Sequence, residues 1–137
     1  MIKWNKNDKF TPTSPSEWFS LHEFECKGCT CNDQLIDSEL VIKLDRIREK
    51  IGVPIIITSG YRCEKKQGSL REQGKETAIG VSQHELGKAI DLTVKDKNLM
   101  PELLELCKQE FKAIGKSALF IHVDLRIDKE RFWSYRV

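Results

Sequence analysis

Two histidines and an aspartate hold the chemistry this sequence offers. Ser82-Gln83-His84-Glu85-Leu86-Gly87-Lys88-Ala89-Ile90-Asp91 sets an imidazole and a carboxylate seven positions apart. His122-Val123-Asp124 adds a second imidazole inside an apolar run. One carboxylate and two imidazoles suit a zinc ion with one coordination position open to water. A metal-dependent hydrolase is therefore the first expectation. A single histidine in an apolar strand is more often a packed, hydrogen-bonded residue than a ligand. Here two of only three histidines lie in such settings, and Asp91, flanked by Ile90 and Leu92, needs a partner if it is buried. His22, within Ser20-Leu21-His22-Glu23-Phe24, has no such context and reads as ordinary.

These groups need elements to hold them. Leu40, Val41, Leu44, Ile47 and Ile51 recur at helical spacing, so a helix is predicted from about Ser38 to Ile51, capped by Asp37 and ended by Gly52. Pro54 leads into Ile55-Ile56-Ile57-Thr58, a β-branched run predicted as a buried strand, with Ser59-Gly60-Tyr61-Arg62-Cys63 turning off its end. Residues 64–81, with Gly68, Gly74 and Gly80, read as a loop of the kind that shapes a cleft. Ala89 to Val94 reads as a second strand. Pro101 opens a second helix with an apolar stripe of Met100, Leu103, Leu104, Cys107, Phe111 and Ile114, ended by Gly115. Ala118 to Leu125 and Arg131 to Val137 read as further strands, and residues 1–20, broken by Pro12 and Pro15, as an irregular N-terminal segment. The expected fold class is α+β, a small, mostly antiparallel sheet with helices on one face, in a single domain over residues 1–137.

Strand alternation gives the spacing its meaning. If Ile90 and Leu92 enter the core, Asp91 faces the other way. Ile121 and Val123 then leave His122 and Asp124 on the cleft side with Phe120, and Gly87 lets the chain turn so that His84 reaches the same point.

Composition narrows the class. Apolar residues are 39% and charged residues 32%, as in a globular domain. Lys and Arg number 23 against 21 Asp and Glu, a formal charge of +2 with no basic block, so nucleic acid is not an expected partner. No apolar run approaches the roughly 20 residues that cross a bilayer, so no membrane partner is expected. The polar start Met1-Ile2-Lys3-Trp4-Asn5-Lys6 has no hydrophobic leader segment, which predicts synthesis in the cytoplasm. A monomer is expected.

The pattern Ser82-x-His84-x-x-Gly87-x-Ala89-x-Asp91, followed by His122, resembles the zinc D-alanyl-D-alanine carboxypeptidases and dipeptidases, a group that includes the L-alanyl-D-glutamate endopeptidases of phage lysins. Hedgehog domains share that fold. Ser59-Gly60-Tyr61-Arg62 also fits, and the order holds from about Phe19 to Trp133. The resemblance implies zinc on His84, Asp91 and His122, substrate contact near the scissile bond at Arg62, and a place in the cleft for Ser82. It implies a peptidoglycan stem peptide as substrate, and a phage-type lysin that reaches the wall after release or is carried in a virion. Arg62 suits a carboxylate or a developing oxyanion chemically, and its plain alternative is a surface salt bridge. Ser82 has the alternative of a turn cap.

One position departs from the family pattern. Many members carry a general-base carboxylate three residues before the last histidine; here that residue is Leu119. Asp124, two residues beyond His122, is the expected substitute, either taking a proton or orienting His122. Glu85 is a weaker candidate. A hedgehog-like, non-catalytic zinc-stabilised binding module and a phage tail structural protein are the alternatives to an enzyme. Trp133 and Tyr135 are expected to pack a terminal strand on the core, with lining the cleft as the alternative.

Cysteine supplies a second cluster. Cys26, Cys29, Cys31 and Cys63 admit a structural zinc ion, one disulfide such as Cys31–Cys63, or buried thiols, while Cys107 lies on a helix stripe and reads as core. The odd total of five argues against a complete disulfide framework.

Overall fold

The computed structural model describes residues 1–7, 16–28, 31–63 and 82–135. The segment 64–81, read above as a cleft loop, and Cys29 lie outside the described residues. Near its start the chain forms an antiparallel ribbon, β1 (Ile2–Asn5) paired with β2 (Asp33–Ile36). The expected irregular N-terminal segment is thus partly a strand. Trp4, opposite Gln34, is buried, and its burial supplies the reason to pair.

Helix α1 (Ser38–Ile51) has its expected boundaries. The Asp37 carboxylate accepts the Glu39 amide at 2.9 Å, satisfying one of the orphan donors of the first turn. Leu40, Val41, Leu44 and Ile47 are its buried stripe. After it come β3 (Ile56–Ser59), β4 (Ala89–Thr93), a 3₁₀ turn at Lys97–Leu99 and α2 (Met100–Glu110). Then follow β5 (Ala113–Lys116), β6 (Ile121–Asp124) and β7 (Arg131–Ser134).

The second helix is shorter than its periodicity suggested. It stops at Glu110, Phe111 is extended, and Ile114 and Gly115 belong to β5. Phe111 and Ile114 are both buried, so strand residues happen to continue the helical spacing of Leu103, Leu104 and Cys107. Gly115 is a mid-strand residue rather than a helix end.

Among the described residues five strands form one sheet in the order β3-β4-β6-β5-β7. Every neighbouring pair is antiparallel except β5 and β7, which run parallel. Alternation divides the sheet into two faces. Ile90, Leu92, Val94, Ile114, Ile121 and Val123 join the apolar stripes of α1 and α2 in one buried cluster. The opposite face carries Asp91, His122, Asp124, Gly115 and Trp133. Among the described residues no helix is long and apolar enough to cross a membrane.

Candidate metal centre

The strand register builds the site. Asp91 on β4 lies opposite His122 on β6, and the same row extends to Ser59 on β3, Gly115 on β5 and Trp133 on β7. His84 arrives from a turn just before β4. In that turn the Ser82 hydroxyl accepts the His84 amide at 3.2 Å, and Gly87 takes a left-handed φ of 68° to bring the chain onto the strand. The Ser82 hydroxyl thus caps this turn, beside the place in the cleft that the resemblance implies for it.

His84 Nε2, an Asp91 carboxylate oxygen and His122 Nδ1 converge, with one ligand atom from each residue lying within 4.8 Å of the others. Asp91 Oδ1 is 3.3 Å from His84 Nε2 and 2.9 Å from His122 Nδ1. All three side chains are buried. The outer nitrogens are tied down: His84 Nδ1 lies 2.8 Å from the Gly60 carbonyl, and His122 Nε2 lies 2.9 Å from Asp124 Oδ2. Fixing the outer nitrogen selects which tautomer each ring presents inward. Two imidazoles and one carboxylate, held from outside and open toward each other, fit a zinc-type ion.

Electrostatics follow from this packing. Burial alone would raise the Asp91 carboxyl, but the two histidines overcome it and hold the group below the usual carboxylate range. Burial pushes His84 down. It opposes His122 too, yet the hydrogen bonds its ring donates to Asp124 and Asp91 win and raise that imidazole.

Arg62 lies beside the ligands rather than on the surface. Its Nη2 donates to Asp91 Oδ2 at 3.1 Å and its Nε to Ser59 Oγ at 3.0 Å. The carboxylate oxygen that the histidines do not share is therefore held by a guanidinium.

Asp124 shares the strand face of His122, as alternation predicts, but it sits on the far nitrogen of the ring. It is fully buried, and Arg126 brackets it: Nε reaches Oδ1 at 2.9 Å and Nη2 reaches Oδ2 at 2.8 Å. Burial would raise this carboxyl, but His122 and Arg126 bring it down to about 2. Asp124 thus faces the outer nitrogen of His122, on the side away from the nitrogen that meets Asp91. Leu119 is largely exposed.

Several contributors were not visible as chemistry in the sequence. A Cβ on Gly60 would lie 2.5 Å from the Phe24 carbonyl oxygen, so only glycine lets the chain approach there and aim its own carbonyl at His84. A Cβ on Gly115 would lie 2.5 Å from the Trp133 indole nitrogen and 2.6 Å from the Tyr135 ring, so the bare strand seats these aromatics. Trp133 lies 5.3 Å and Tyr135 6.4 Å from the His122 ring, between centroids. They wall the ligand cluster, contrary to the expected core-packing role. Arg126 had no sequence signal beyond its closeness to Asp124.

The cysteines also converge in part. Cys26, Cys31 and Cys63 bring their sulfurs within 4.8 Å of one another, and Cys107 is buried on α2 as expected.

A family model described as Peptidase M15 matches residues 17–124, the span that carries both histidine ligands, the aspartate and the Arg62 turn. No curated protein and no solved structure matches the chain.

Proposed function

Because this chain belongs to the Peptidase M15 family, we propose that it hydrolyses peptide bonds in peptidoglycan stem peptides, as a D-Ala-D-Ala carboxypeptidase or an L-Ala-D-Glu endopeptidase. Family membership brings zinc-dependent peptidase chemistry with it. The observation that supports metal-dependent hydrolysis is the convergence of His84, Asp91 and His122 on one point, with each ring fixed from behind.

In this reading His84 Nε2, Asp91 and His122 Nδ1 would hold zinc. When bound, zinc supplies Lewis acidity that polarises a carbonyl and acidifies a water. The chain's own residues do the rest. Gly60 and Asp124 keep both imidazoles in the required tautomer. Arg62 anchors Asp91 and brings positive charge to the edge of the site, where a peptide carboxylate or developing oxyanion gains from it. Trp133 and Tyr135 close one side and limit water. Ser82 supports the turn that delivers His84. The setting we propose is a phage-type lysin that meets the wall after release, or a protein carried in a virion.

A second reading has its own support. Leu119 replaces the expected carboxylate, and Asp124 is buried behind His122. A zinc-stabilised module that binds wall peptides without cutting them fits these facts. Purified peptidoglycan incubated with the zinc-loaded protein decides between them by mass spectrometry of new termini. New termini that vanish with chelator, return with zinc and are absent in His84→Ala support hydrolysis and identify the bond. Retention of the protein on peptidoglycan with no new termini rejects it.

A further inference from the structure

Three sulfurs meet well away in sequence from the histidine ligands. Cys26 follows the 3₁₀ turn Leu21–Phe24, Cys31 precedes β2, and Cys63 ends the turn after β3. We infer that Cys26, Cys31 and Cys63 form a second metal site, a thiolate site for a soft, zinc-class cation that clamps the Arg62 turn to the N-terminal part of the fold.

One sulfur pair has the spacing of a tetrahedral edge, and the third sulfur lies within 4.8 Å of both. Metal–sulfur bonds of about 2.3 Å place two sulfurs about 3.8 Å apart along a tetrahedral edge. Cys26 Sγ and Cys63 Sγ are 3.7 Å apart. A disulfide would need about 2.05 Å, and it would use two sulfurs where three converge. Cys26, Cys31 and Cys63 are thiols here.

N–H groups are aimed at these sulfurs. The Cys63 amide donates to Cys26 Sγ at 3.5 Å, and the Gln34 side-chain amide donates to Cys31 Sγ at 3.4 Å. Burial pushes the metal-free Cys26 thiol up, and the hydrogen bond from the Cys63 amide works against that. Gln34 is itself buried, and its Oε1 accepts the Cys26 amide at 2.7 Å. One buried amide thus fixes two of the three cysteine-bearing segments. It reads as support from behind a ligand set, as Gly60 and Asp124 support the histidines.

The mechanical consequence follows from the chain path. Arg62 precedes Cys63, and its amide donates to the His84 carbonyl at 3.2 Å. The Tyr61 amide donates to the Phe24 carbonyl at 2.8 Å. A cation on Cys63 would fasten this turn at its open end. Binding releases the thiol protons to solvent and involves no redox change. Three thiolates leave one tetrahedral position to a further donor.

Cobalt(II) titration of the reduced, metal-stripped full chain tests this, because thiolate-to-cobalt charge transfer in the near ultraviolet reports sulfur ligands alone. The wild type is expected to take up about two equivalents with that band. The double variant His84→Ala/His122→Ala is expected to bind about one and keep the band. Cys31→Ser and Cys63→Ser are expected to lower its intensity by about a third each. Cys107→Ser is expected to leave it unchanged. Wild-type protein that binds cobalt without the band overturns the inference, whether or not the cysteine variants fold. So does a band indifferent to both cysteine changes, or an intact mass lighter by the two hydrogens of a disulfide in protein isolated without reductant.

Discussion

Asp124→Asn separates orientation from proton transfer at this centre. In the native site each Asp124 oxygen accepts from two donors. Oδ2 faces His122 Nε2 at 2.9 Å and Arg126 Nη2 at 2.8 Å, while Oδ1 faces the Arg126 amide at 3.1 Å and its Nε at 2.9 Å. Asparagine puts an NH₂ in place of one oxygen. Whichever way the amide turns, donors then meet donors, and the negative charge that stabilises the raised His122 is gone. Arg126 is a third exposed and can swing outward, so the fold survives with a loss of about 1.5–3 kcal/mol for the charge-assisted bonds. His122 cannot relocate, because it lies on a central strand. Removing an outer-shell partner of this kind weakens metal binding about 10–100-fold, or ~1.4–2.8 kcal/mol. Competition with a chromogenic zinc chelator reads that change directly. Turnover of stem peptide at saturating zinc is expected to recover to within about tenfold of wild type. Unchanged zinc affinity with turnover at least about a hundredfold lower refutes the argument and makes Asp124 the base.

Three further outcomes are expected. Gly60→Ala forces a Cβ 2.5 Å from the Phe24 carbonyl oxygen, so the backbone must shift and its carbonyl leaves His84; destabilisation of about 1–3 kcal/mol in the urea midpoint and weaker zinc binding check this. Arg62→Ala frees Asp91 Oδ2 and is expected to weaken zinc binding at least about tenfold in the same chelator assay; unchanged affinity would remove Arg62 as an anchor of Asp91. The metal-free chain is expected to lose stability in acid. Asp124 has a folded value lowered from 3.8 to about 2, so its contribution is present above the unfolded value and is lost as pH falls toward 2. The loss from that group is roughly 2 kcal/mol, and urea midpoints between those pH values should show it in the wild type and not in Asp124→Asn. Asp91 and His84, both lowered, act in the same direction, whereas raised His122 contributes stability that disappears as pH rises.

Local chemistry made much of the fold legible. Helix α1 carries its own cap, apolar stripe and terminator, so its boundaries follow from residues that are neighbours in the chain. The face shared by His122 and Asp124 follows from a two-residue period that no packing partner can alter. Where local signals ran out, the reading erred. Phe111 and Ile114 fit a helical spacing, but Ile114 fits a buried strand equally well, and only pairing with β6 decides between them. Residues 2–5 look irregular alone because their reason to be a strand is β2, nearly thirty residues away.

The sequence by itself determined the candidate ligand set: two imidazoles and a carboxylate with a spacing that a strand and a turn can bring together. It also fixed the missing carboxylate at Leu119, since residue identity needs no fold. Tertiary structure alone decided what stands behind each ligand. A glycine carbonyl holds His84, a half-buried ion pair with Arg126 backs His122 through Asp124, and Arg62 holds Asp91. Hydrogen bonds of this kind join residues far apart in the chain or depend on a buried environment, and linear spacing encodes neither. The same holds for the cysteines. Their number was plain, but whether three sulfurs meet depended on how the turn after β3 packs against the segment before β2.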